Sequence, residues 1–83
     1  MNMNPTLSLV DLLAWKANCM YVSDLHYLSK EKERDLKQSI EQIPVHAYDL
    51  RNWKDALTYL TGKANEEFDA EKMKQHLIKA AWR

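Results

Sequence analysis

The sequence predicts an all-α fold: a small compact bundle of four or five short helices, forming a single domain over residues 1–83. Three observations carry that expectation. The chain has one glycine and two prolines, too few to serve the tight turns of an all-β protein. Leu, Ala, Lys, Glu and Gln are frequent, and these are the residues that lose least on entering a helix. Apolar residues also recur at steps of three and four, in runs separated by residues that start or stop helices.

The first predicted helix runs from about Pro5 to Tyr21. Asn4 before Pro5 fits a helix start, because proline at the first helical position has a preset φ and gives up no needed hydrogen bond. Ser8, with Asp11 three residues on, is a second candidate start. Laid out at about 100° per residue, Leu9, Val10, Leu13, Ala14, Ala17, Met20 and Tyr21 fall on one side, suited to a core. Leu12, Trp15 and Cys19, stepping by three and four, project from the other side among Ser8, Asp11, Lys16 and Asn18.

Residues 20–22 offer a short extended piece. Ser23 and Asp24 can cap Leu25 to Leu28, and Ser29 can cap the stretch KEKERDLKQSIEQI. Leu25, Leu36, Ile40 and Ile43 share one apolar stripe, so residues 23–43 read as one helix or as two with a bend. Glu33 and Lys37 stand one turn apart as a favourable ion pair. Pro44 ends the segment, since the residue before a proline is pushed out of the helical region.

The next helix is predicted from about Leu50 to Leu60, with Leu50, Trp53, Leu57 and Leu60 facing inward. Gly62 stands where a left-handed cap would end it. A final helix is predicted from about Ala70 to Trp82, with Met73, Leu77 and Ala80 or Ala81 inward. The stretches YDLRNWKDAL (48–57) and FDAEKMKQHL (68–77) echo one another, and shared helix-start chemistry explains the echo without a duplication. Asp49 and Asp69 are placed as N-caps, while Tyr48 with Trp53 and Phe68 with Met73 are placed as hydrophobic staples.

Charge and composition bound the function. Twelve basic and twelve acidic residues cancel, which removes long-range attraction to nucleic acid or anionic lipid unless charge is segregated locally. Cys19 is the single cysteine, so an internal disulfide is out of reach and a reducing compartment is expected. No apolar run approaches the ~20 residues that span a bilayer, and MNMNPTLSLV has neither a basic leader region nor a cleavage-like site. The expected location is cytoplasmic, away from membranes.

Catalytic, cofactor-binding and metal-binding residues are not expected. Cys19, His26, His46 and His76 are scattered, with no CxxC, HxxxH or HExxH spacing to hold two ligands together. One glycine cannot build a phosphate loop, and Glu66–Glu67 fall in a solvated loop. Two surfaces remain. Lys72, His76, Lys79 and Arg83 line one face of the last helix and could follow nucleic-acid phosphates, although cations there also complement the helix dipole. Leu12, Trp15 and Cys19 either lie at the centre of the bundle or form an interface, where Trp is enriched. Trp82 could add to either surface. The expectation is a cytoplasmic, non-catalytic interaction module that binds itself or a protein partner through its first helix. Oligomerisation would relieve the marginal stability of so small a core. The alternative is a small nucleic-acid-associated protein using the basic face.

Overall fold

Ser8 opens the first helix. Its hydroxyl accepts from the Asp11 backbone N–H at 3.2 Å and donates to the Asp11 carboxylate at 2.8 Å. This satisfies one of the N–H groups that a helix start leaves unpaired, and α1 follows as Leu9–Lys16. A computed structural model describes residues 7–63, 69–80 and 82 of the chain. The predicted start at Asn4 and Pro5, the Phe68 staple, Glu66–Glu67, Ala81 and Arg83 lie outside these residues.

α1 is much shorter than the sequence predicts, and Asn18 is the reason. It takes a left-handed conformation with φ 59°, which Asn tolerates better than other residues with a side chain. Its N–H then bonds the Trp15 carbonyl at 3.0 Å, and the Cys19 N–H bonds the Ala14 carbonyl at 2.9 Å. These two bonds close the helix as a Schellman motif. Cys19, Met20 and Tyr21 therefore lie off the helix, and the expectation that Met20 and Tyr21 face the core is corrected: they are 83% and 66% exposed.

Residues 23–43 divide in two. Tyr21 is extended, and the Asp24 carboxylate accepts its N–H at 3.2 Å. Asp24 thus reaches back to the start of a 3-10 helix, Val22–Tyr27, and the cap is Tyr21 rather than Ser23 or Asp24. Leu28 and Ser29 are extended, and Ser29 Oγ accepts the Lys32 N–H at 3.2 Å to open α2, Lys30–Glu41. Beyond Pro44 a short 3-10 turn, Val45–Ala47, leads to α3, Leu50–Thr61. Gly62 ends α3 in the left-handed region, with φ 73°. α4 is Ala70–Lys79.

Both helix-start aspartates act as caps. Asp49 Oδ1 accepts the Asn52 N–H at 2.9 Å, and Asp69 Oδ1 accepts the Glu71 N–H at 2.9 Å. Burial pushes the Tyr48 phenol up from its ordinary pKa, consistent with its half-buried place ahead of the α3 cap. Asn52 does a second job: its Oδ1 accepts the Leu9 N–H at 3.1 Å. The starts of α1 and α3 are tied together through that amide.

The core runs through all four helices. Leu9, Leu13, Leu25, Leu36, Ile40, Trp53, Leu57, Leu60, Met73 and Leu77 are buried, each contributing roughly 1.5–3 kcal/mol over its exposed state. Leu25 keeps its place on the apolar stripe although the helix breaks after it. Trp53 is fully buried, and its Nε1–H donates to the Val45 carbonyl at 2.8 Å. α3 packs most extensively on α4, α4 also lies against α2, and α1 rests on α3 and on the 22–27 turn. The central helices are α3 and α4, and α1 is peripheral.

α2 and α4 run antiparallel, as two lysines show. Lys37 Nζ donates to the Ala80 carbonyl at 2.6 Å, just past α4. Lys74 Nζ donates to the Glu41 and Ile43 carbonyls at 3.1 and 2.7 Å, at the end of α2. No helix among the described residues is long and apolar enough to cross a membrane.

Candidate functional site

The outward side of α1 presents Trp15, which is 71% exposed. Leu12 and Cys19, placed with it by the sequence spacing, are instead half-buried and packed against the core. Only Leu12 and Trp15 share the helix, because Cys19 follows the left-handed turn. Three residues not singled out for this surface join Trp15 on the outside: Met20, Tyr21 and Tyr27, at 83%, 66% and 83% exposure. The signal that could have found them is Asn18. Read as a helix stop, it takes the following residues off the core-facing side.

The same stop opens a groove. α1 rests on α3, α2 rests on α4, and the two make little contact with each other. Lys16, Ala17 and Asn18 face Lys32, Asp35, Leu36 and Ser39 across a space of about 290 Å³. A second, wider hollow of about 590 Å³ shares Ala17, Asn18 and Lys32 with it and continues along Cys19, Met20, Asp24, Tyr27 and Leu28. Its walls are mixed, with Asn18, Asp24, Ser29 and Lys32 beside Ala17, Cys19, Met20, Tyr27 and Leu28, and the charged residues around the two hollows are Lys16, Lys32, Asp24 and Asp35, two of each sign.

Burial pushes the Cys19 thiol above the ordinary value, Asp24 pushes it further, and Lys32 only partly offsets them. That direction disfavours the thiolate, the form that acts as nucleophile and metal ligand. Among the described residues, no three His, Cys, Asp or Glu side chains gather as a metal ion would require.

On α4, Lys72, His76 and Lys79 are exposed around a shallow depression of about 200 Å³, together with Glu71 and Gln75. Arg83, the fourth member of that predicted stripe, is outside the described residues. Trp82 belongs to neither surface. Its Nε1–H donates to the Leu77 carbonyl at 2.8 Å, and the Lys37 ammonium lies 5.3 Å from its ring centroid.

No family model, curated protein or solved structure matches this chain. The functional reading therefore rests on the surface itself.

Proposed function

We propose that this chain is a small, non-catalytic protein-interaction module of the cytoplasm, and that it binds through Trp15 and the groove beside it. The observation that carries the reading is the exposure of four large apolar or aromatic side chains within residues 15–27, two of which, Met20 and Tyr27, line the groove. Isolated exposed apolar residues are ordinary on a protein surface, but a cluster of them marks an interaction site. Tryptophan and tyrosine are also the residues most often found at the energetic centre of an interface. Leu12 is half-buried against the core, and Cys19, also half-buried, lines the groove itself.

The basic face of α4 has less in its favour. Its described members are Lys72, His76 and Lys79, with Glu71 in the same depression, and His76 and Lys79 stand in the last turn of α4, where a cation complements the helix dipole without any ligand.

The test is site-specific photo-cross-linking in cells. A photoreactive residue at Trp15 or Tyr27 should give discrete protein adducts, whereas one at the exposed Lys54 of α3 should not. Adduct patterns that are the same at positions 15, 27 and 54 would refute the reading.

A further inference from the structure

We infer that the partner filling this groove is a second copy of the chain, in a two-fold dimer that exchanges Trp15. The inference rests on the interface reading above and names its occupant. A two-fold interface is self-complementary, so one surface must carry both the projecting group and its receptor. This surface carries both. Trp15 projects from the last turn of α1, and the residues that follow it, Lys16 and Ala17, already line the groove of about 290 Å³. The groove is open to solvent along its length, so a side chain from a facing surface can enter it without displacing any part of the fold.

Charge favours a copy over a charged stranger. Lys16, Lys32, Asp24 and Asp35 line the two hollows, and the whole chain has a formal net charge of zero. A rotated copy brings the same two cations and two anions, so neither surface has an excess of one sign to repel the other. A strongly acidic or basic partner would meet as many like charges as opposite ones. Zero net charge also removes the long-range repulsion that keeps many proteins monomeric.

The area is of the right order. A buried aromatic side chain contributes ~150–250 Å². Exposed as they are, Trp15, Met20, Tyr21 and Tyr27 together offer on the order of 500 Å². The groove walls extend this towards the ~800 Å² per partner of a standard stable interface.

Sedimentation equilibrium of the full chain decides the matter. Wild type should dimerise, Trp15→Glu should be monomeric with an unchanged circular dichroism spectrum, and Tyr27→Ala should weaken the dimer at least about tenfold. A wild-type protein that stays monomeric into the submillimolar range overturns the inference, as does a folded Trp15→Glu that dimerises as tightly as wild type. The two readings fail separately. A monomer that still cross-links to a different protein from position 15 removes the second copy and leaves the interface. A monomer with no specific adduct removes both.

Discussion

Lys37 and Lys74 cap each other's helix. Lys37 of α2 reaches the Ala80 carbonyl beyond α4, and Lys74 of α4 reaches the Glu41 and Ile43 carbonyls at the end of α2. The last carbonyls of a helix have no partner within it and carry the negative end of its dipole. Pro44 sharpens the need at α2, because it has no N–H to offer the carbonyls before it. An ammonium group supplies several donors and a positive charge at the same point. Because the helices are antiparallel, each lysine sits along one helix where the other one ends.

The two lysines should differ in weight. Lys74 is buried, with 9% of its surface exposed, and its ammonium serves two carbonyls. Lys74→Met keeps most of the stem but leaves those carbonyls without their donor, and should cost about 1–3 kcal/mol. Lys37 is also buttressed by Glu33 at 3.0 Å and by the Trp82 ring, but it serves a single carbonyl. Lys37→Met should cost about 1 kcal/mol. Urea melts of the two variants measure both, and a Lys74→Met protein as stable as wild type would contradict the capping role.

Asn18 decides where α1 ends, and so where the proposed surface begins. A left-handed residue with a branched side chain is disfavoured by roughly 1–2 kcal/mol. Asn18→Val should therefore destabilise the fold by about that amount, while Asn18→Gly should leave stability unchanged or slightly raised. Thermal melts followed at 222 nm separate the two. If Asn18→Val melts with wild type, the turn is not what stops the helix.

The helix starts and stops that rest on local chemistry were legible in the sequence. Ser29, Asp49, Asp69 and Gly62 act within three or four residues of themselves, and each stands where the pattern places it. The same holds for the core stripe from Leu25 to Ile43 and for Trp53, Leu57, Met73 and Leu77, which follow helical spacing. Asn18 was harder to read, because its side chain is compatible with continuing the helix and only its backbone angle stops it. Lys74 was illegible for a different reason. It flanks Met73 and Leu77 on the inward side of α4, but what neutralises its burial is the end of another helix, and no local pattern announces that. Trp15 was legible as a candidate, while Met20, Tyr21 and Tyr27 depended on the turn at Asn18.

Asp49 gives the fold a defined acid dependence. Its carboxylate accepts the Asn52 backbone N–H at 2.9 Å and the Asn52 side-chain N–H at 3.1 Å. These bonds, the backbone one first, hold its pKa below the ordinary value, with a smaller pull from Arg51 and partial opposition from desolvation. The folded state therefore binds the proton less readily than the unfolded chain, whose Asp titrates near ~3.9. The stabilisation is fully present above that unfolded value and is lost as pH falls through the lower folded value. Asn is as good an N-cap as Asp but does not titrate. Asp49→Asn should therefore match or slightly trail wild type near neutrality, and the gap should close as the pH is lowered below about 4. Asp49→Ala should be less stable than either at neutral pH, because it removes the acceptor itself. Urea melts of the three proteins at steps between neutral and strongly acidic pH give the comparison. A wild-type advantage over Asp49→Asn that grows on acidification would show the opposite sign, and would mean that the Asn52 bonds do not favour the ionised carboxylate.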